Sequence, residues 1–415
     1  MAHASRFFGL SGIASGFSFL DGEAVRVSQA VFGVFHHFDL AHQLRRHDYL
    51  QTVYSTYPWR RLRREGLPRE YVETFPWIHG GLAGLARFGL YPSPWTEGLD
   101  WWNGLAFDAW MTRRIARSKT NLDALIGISG AGLAAGALVQ SRGGKYICDR
   151  GSTHARYQWR LLSEEHQHWG APLDIYDPRD TEREEKQYDQ ANCIVVPSSF
   201  AARSFVAEGI PPEKLHVIPY GVRLDSFQPA AGSPRAADTF DVLFVGQVSL
   251  RKGVPYLLEA FAKVRHPRKR LRILGPMFPH MKPLLPKLPM ESVEIVGAVS
   301  RAELIRYFSR SHAMVLPSLE EGLALVQGEA MACGCPVIAT PNTGSEDLFT
   351  DGVEGFIVPP REVQALADRL QQLADDPALQ QRMSAAALDR VQHLGGWNDY
   401  GDRWAQLLQE LCGEM

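Results

Sequence analysis

Between Phe240 and Pro359 the chain repeats one pattern. Short apolar runs, each followed by glycine or proline, alternate with longer segments of helical period. The short runs are "DVLFVG", "LRILG", "SVEIVG", "HAMVLPS", "PVIAT" and "GFIVP". They are continuous rather than alternating in polarity, as strands covered on both faces require. Between them, "VPYLLEAFAKV" sets Leu257, Leu258, Phe261 and Val264 on one helical face. "RAELIRYFSRS" does the same with Leu304, Ile305 and Phe308, and "EVQALADRLQQLADD" with Val363, Leu366, Leu370 and Leu373. Strands alternating with helices give a parallel sheet with helices on both sides. Such a sheet binds ligands outside the carboxyl ends of its strands, where most of the loops between these runs lie.

The first half carries the same pattern less cleanly. "EAVRVSQA" reads as a first strand, and "FDLAHQLRRHDYLQTVYSTYP" as helix then strand. "LDALIGIS", "KYICDRG" and "QANCIVVPS" read as later strands, and "SFAARSFVAEGI" as a helix closed by Gly209. The region from Trp59 to Asn121 mixes Trp, Pro and Arg without a period, and its elements cannot be ordered. The expectation is an α/β chain of two Rossmann-like domains. Residues 1–20 form an N-terminal extension, 21–219 a first domain, 220–394 a second, and 395–415 a last helix. The crossing between domains falls near Pro219 to Phe227. No repeat with a period of 20–50 residues is visible.

Composition excludes several classes. The 415 residues suit two domains. A 45% apolar and 22% charged content is that of a globular protein. The net charge of −2 gives no sign of a nucleic-acid partner. Five cysteines without CxxC spacing suit reduced thiols in the cytoplasm and give no readable zinc site. The most apolar stretch, "ALIGISGAGLAAGALV", reads as a buried strand, a glycine turn and a small-residue helix rather than a membrane span. The first twenty residues make a poor signal peptide.

The chemistry gathers in "LEEGLALVQGEAMACGCPVIAT", Leu319 to Thr340. Read as strand, loop and helix, it puts Glu321-Gly322 in the loop and starts the helix near Leu323. Unpaired amides and the helix dipole at that start attract an anion such as a diphosphate. Glu329, about two turns in, could accept hydrogen bonds from a diol, since an ionised carboxylate only accepts. The plainer reading makes Glu321 a helix-start acid and Glu329 a solvated residue.

The wider string closely resembles the signature of glycosyltransferase family 4, retaining enzymes of the two-Rossmann GT-B fold. Gly322, Leu323, Ala324, Leu325, Ala330, Met331, Ala332, Gly334, Pro336 and Val337 match it. The resemblance implies that Glu321 lies beside the donor sugar, that Glu329 binds the ribose, and that Gly322 to Leu325 approach the diphosphate. "VGQVSLRKGVPYLLEAF" resembles the family segment in which an arginine and a lysine hold that diphosphate. Lys252 falls on the lysine, Gln247 after Gly246 replaces the usual arginine, and Arg251 can supply the missing charge. Arg223 stands where the family usually has aspartate. The last helix, with Trp404, Leu407, Leu408 and Leu411, looks like the family's crossing helix. The resemblance is firm from Tyr188 onward and loose before it.

Site expectations for the first domain are weaker. His154, in "CDRGSTHARYQ", takes by position the place of a family histidine that contacts the donor sugar. As a bare residue it reads equally as a helix-start or core histidine. His36, His37 and Asp39 lie at a loop-to-helix junction, with His37 a further active-site candidate. Gly130, Gly132 and Gly136 read as helix–sheet packing. Arginines near Trp59, Trp77, Trp95, Trp101 and Trp102 read as a solvated basic face or as a contact with anionic lipid. The resulting expectation is a retaining hexosyltransferase. It would take a UDP-, GDP- or ADP-sugar and a glycan or lipid-linked acceptor, in the cytoplasm or peripherally at the membrane. With no DxD triplet, no metal and no other cofactor is expected. A sugar-nucleotide epimerase, a sugar phosphorylase or an inactive sugar-nucleotide-binding module are the alternatives. A dehydrogenase is disfavoured, since no GxGxxG follows a strand with an acid about twenty residues on.

Overall fold

The computed structural model describes residues 25–77, 99–173, 178–232 and 235–413. The N-terminal extension and Trp95 lie outside the described residues. Two parallel sheets carry the fold. The first runs in the order β3-β2-β1-β4-β5-β6-β7. Its strands are β1 (Val27–Val31), β2 (Leu50–Ser55), β3 (Val72–Thr74), β4 (Ala124–Ile128), β5 (Lys145–Asp149), β6 (Cys193–Val196) and β7 (Leu215–Val217). The second runs β10-β9-β8-β11-β12-β13. It comprises β8 (Phe240–Val245), β9 (Lys269–Leu274), β10 (Val293–Gly297), β11 (Ala313–Leu316), β12 (Val337–Ala339) and β13 (Gly355–Ile357). Every strand pair is parallel, so the helical segments between strands are crossovers.

The continuous apolar runs have the expected cause. Along β4, Ala124 and Ile126 enter one core while Leu125 enters another; along β6, Cys193 and Val195 part from Ile194 and Val196 in the same way. Side chains alternate in direction, but both faces are covered, so polarity does not alternate. One face of the first sheet packs under the helix His37–Arg46 and the last helix, Trp397–Cys412. The other packs under the helices Leu99–Arg117, Leu133–Ser141, Pro178–Gln190 and Ser199–Ala207. The stretch that could not be ordered contains the short helix Trp59–Leu62, the edge strand β3 and the long helix Leu99–Arg117. Residues 78–98 within it lie outside the described set.

The chain crosses between domains twice, at one place. A side chain at Gly221 would overlap the backbone of Gly396, and the Val222 amide donates to the Gly395 carbonyl at 3.2 Å. The last helix then returns to the first domain. Trp404 is fully buried there in one core with Val31, Phe38 and Ile126, and Arg46 bonds both Asn398 and Asp402. Removing the indole leaves a large cavity at this seam. Trp404→Ala is therefore expected to cost about 3–5 kcal/mol, read as a lower urea midpoint for unfolding.

Candidate functional site

Beyond β11 the chain bends at Leu319 and Gly322 before it turns into the helix Leu325–Ala332. That helix starts two residues later than its sequence suggests. Ala324 is extended (φ −80°, ψ 99°) and its amide is held by the Thr343 carbonyl at 3.1 Å. This buries Leu323 and Ala324 in the second core. Glu329 consequently sits one turn into the helix rather than two. Ala324 at the cap has no side-chain acceptor, so the first turn gets no side-chain cap, and Leu325 beside it is exposed. Gly322 is required where it stands: a Cβ there would come within 2.0 Å of the Gly151 carbonyl oxygen, in the loop after β5. The two domains meet backbone to backbone at this point.

The carboxylate that fastens this contact is Glu320, which the sequence reading passed over for its neighbour. Glu320 belongs to the second domain and is wholly buried. Across the domain boundary it accepts from Ser152 Oγ at 2.6 Å, Thr153 Oγ1 at 2.8 Å, the Thr153 amide at 3.2 Å and Gln158 Nε2 at 2.7 Å. From its own domain Arg251 Nε donates at 2.8 Å. Burial alone would raise its pKa. The Arg251 charge and the hydrogen bonds of Ser152, Gln158 and Thr153 outweigh burial and hold it at about 2. The available signal was the doubled acid at a strand end, together with the Ser-Thr pair after "CDRG".

Glu321 is buried beside it and pairs with Lys252; its other oxygen lies 3.6 Å from Arg251. Lys252 enters this position because Gly253 adopts φ +66°, and a Cβ there would fall 2.0 Å from the Pro317 carbonyl oxygen. The strand–loop–helix after β8 is thus pressed directly against the loop after β11. Gly246 closes β8 close to the Lys252 side chain. Gln247 is exposed and lines a cavity of about 360 Å³ between the domains, with Arg251, Ser249 and His280 from the second and Arg150, Gln158 and Glu184 from the first.

Glu329 is half-buried. Burial raises its pKa, against the charges of Arg223 and Arg301. Arg223 bonds both oxygens of Asp39 in the first domain, at 3.0 and 2.9 Å, and lies over the Trp397 ring.

His154 is placed differently from its expected role at the donor sugar. It is the N-cap of the helix Ala155–His168, its Nδ1 accepting from the Arg156 amide at 3.2 Å. Its ring is buried against Tyr188 and Phe205, and burial lowers its pKa. The imidazole is spent on capping and on the first-domain core. His36 and His37 stand at the start of the helix His37–Arg46. His36 Nε2 lies 2.8 Å from Asp149 Oδ2, and a Cβ on Gly151 would stand 3.3 Å from the His36 ring. Asp149 and His37 are buried. Burial raises the Asp149 pKa, and the histidine charges lower it by more.

With this geometry in view, the comparisons with known proteins are direct. Residues 33–226 match the family model described as Glycosyltransferase Family 4, and residues 230–390 match Glycosyl transferases group 1. The chain belongs to this family of glycosyltransferases, and its fold is GT-B. It is 33% identical to a D-inositol 3-phosphate glycosyltransferase of Pseudarthrobacter chlorophenolicus over 223 residues, 50% of this chain and 53% of that one. It is 29% identical to an alpha-D-kanosaminyltransferase of Streptomyces kanamyceticus over 216 residues, 49% and 56% of the two chains. The chain thus spans about half the length of the curated relatives it matches. In fold it is similar to sucrose-phosphate synthase from Thermosynechococcus elongatus, with TM-score 0.74, 21% identity and coverage of 94% and 100%. It is also similar to Anabaena HepE solved with UDP and glucose, with TM-score 0.67, 17% identity and coverage of 93% and 100%.

The depressed pKa of Glu320 sets a pH dependence. An unfolded carboxyl near 4.5 and a folded one near 2 give stabilisation that is complete above pH 4.5 and lost as pH falls toward 2. Glu320→Gln should therefore be less stable at neutral pH, by on the order of 3 kcal/mol. The gap to the unaltered chain should narrow below pH 4.5, as followed by denaturant unfolding across pH.

Proposed function

We propose that the protein is a retaining glycosyltransferase. It moves a hexose from a nucleoside-diphosphate sugar, with UDP, GDP or ADP as carrier, to a glycan or lipid-linked acceptor. The observation that carries this reading is that Lys252 and Arg251 meet Glu321 in the loop that leads into the uncapped start of the helix Leu325–Ala332. Cations and free amides suit a diphosphate, and a carboxylate beside them suits sugar hydroxyls.

A donor diphosphate would take Lys252 from Glu321, which releases the Glu321 carboxylate to accept from the sugar. Arg251, held in place by Glu320, lends a second positive charge where the family's arginine is replaced by Gln247. Glu329 takes the ribose hydroxyls; its raised pKa reflects a partly dry setting in which a diol pays less to replace water. These cations and amides stabilise the negative charge that grows on the leaving diphosphate, and that is electrostatic catalysis. Opening and closing of the two domains about Gly221 and Gly396 admits donor and acceptor.

The names of relatives support the class without fixing its members. Two relatives are named for glycosyl transfer to an inositol phosphate and for kanosaminyl transfer, and HepE was solved with UDP and glucose. An epimerase or phosphorylase of the same fold would give, respectively, no new glycosidic bond or a strict need for free phosphate. No helix among the described residues is long and apolar enough to cross a membrane. Contact with a lipid-linked acceptor would then be peripheral, through the arginines around Trp59 and Trp110, several of which already stack on aromatic rings.

Thermal shift against UDP, GDP, ADP and their glucose conjugates tests the reading. At least one should raise the melting temperature, and equally in EDTA and in magnesium. Lys252→Ala and Glu329→Ala should weaken that binding tenfold or more. Glu321→Ala should bind the same nucleotide yet lose at least a hundredfold in turnover. No shift with any of them removes the proposal. In a second measurement, vesicles rich in anionic lipid should retain the protein in a flotation assay, whereas neutral vesicles should not.

A further inference from the structure

One cluster at the cleft plays no part in the donor site just described. At the carboxyl ends of β1 and β5, His36, His37 and Asp149 bring one ligand atom each within 4.8 Å of one another. His36 Nε2 and His37 Nε2 lie 2.8 and 3.4 Å from the same oxygen, Asp149 Oδ2. Asp149 and His37 are shut off from solvent, whereas the His36 ring reaches the surface in part.

A hydrogen-bonded histidine–aspartate pair explains only two of the three. It leaves His37 wholly buried with no hydrogen bond to either ring nitrogen, a costly state for an imidazole. In a tetrahedral zinc site, ligands at about 2.0–2.1 Å from the ion stand about 3.3 Å apart. The two histidine–aspartate distances, 2.8 and 3.4 Å, bracket that value, and all three ligand atoms lie within 4.8 Å of one another. Two imidazoles and one carboxylate form a donor set used by catalytic zinc.

We propose that His36, His37 and Asp149 bind a divalent transition-metal ion of the zinc class at the first-domain wall of the cleft. The site does not depend on the transferase reading. It is carried by the other domain from Lys252 and Arg251. Gly151, two residues beyond Asp149, lies against Gly322, so the ion would stand one loop away from Glu321. An ion there would lower the pKa of a water or hydroxyl bound to it.

The test uses the full chain, stripped with a chelator and dialysed. Calorimetric titration with zinc chloride should show one equivalent bound, and cobalt chloride should give visible d–d bands. Asp149→Asn, which keeps the side-chain volume, and His37→Ala should each weaken zinc binding at least a hundredfold. X-ray absorption on the zinc-loaded unaltered protein, which needs no variant to fold, should show two imidazoles around the ion. No zinc heat from folded protein would overturn the proposal. So would equal zinc affinity in both variants, or a zinc environment lacking two imidazoles.

Discussion

The architecture at the cleft hangs on one buried charge. Glu320 leaves water completely, and such a carboxylate survives ionised only when fully paired. Its partners come from both domains: Ser152, Thr153 and Gln158 from one, Arg251 from the other. Neither domain alone could satisfy it. Bringing the domains together is therefore a condition of burying Glu320, and the contact between Gly151 and Gly322 follows from that. Further bonds cross the same boundary, from Ser198 to the Gly322 carbonyl and from Ser199 to Asp347. Tyr256 and Arg361 likewise converge on the buried Glu165. Each adds to a closure that Glu320 organises.

That closure decides how the cations of the site are held. Arg251 is fixed by Glu320 through both side chain and backbone, and Lys252 is fixed by Glu321. A lysine ammonium is a compact charge on a flexible stem and changes partner readily, whereas the Arg251 guanidinium is held through its Nε to both the carboxylate and the carbonyl of a wholly buried Glu320. The two adjacent basic residues therefore have different duties. Arg251 is part of the scaffold and contributes a fixed field. Lys252 is paired through a flexible stem with Glu321, the carboxylate that under the proposed function would face the sugar once the lysine leaves it. Under the proposed function, arrival of the diphosphate would therefore be coupled to release of Glu321.

The strands and helices of the second domain were legible because each is local. Period, length and terminating glycine are enough to read β8, the helix Val254–Lys263 and β11 without knowing what they pack against. The first domain was harder for an identifiable reason. Its edge strand β3 is only three residues long, and the helix Leu99–Arg117 carries tryptophans and arginines that blur its apolar stripe. At the site, Glu321 and Lys252 stood out because the surrounding string is distinctive. Glu320 did not, since its role depends on residues 162 to 168 positions away. His154 failed the other way. A histidine after a strand end looks like a ligand in one dimension, and only the packing of Tyr188 and Phe205 around it shows a cap and core residue.

The departures from the family pattern are best understood as exchanges rather than losses. Arg223 reverses the charge of the usual aspartate, and an unmatched reversal so near Glu329 would alter the site's field. It is matched: Asp39, on the first helix of the other domain, takes the guanidinium through both oxygens. With Nη2 shared between the two Asp39 oxygens, the guanidinium also lies over Trp397, at the point where the chain recrosses between domains. A positive charge left beside Glu329 favours its ionised form, the form that accepts from two hydroxyls. Beside Gln247, under the proposed function, Arg251 would supply the charge from the same loop. In both cases a charged residue from a neighbouring element stands beside the departure: Asp39 against Arg223 and Arg251 beside Gln247.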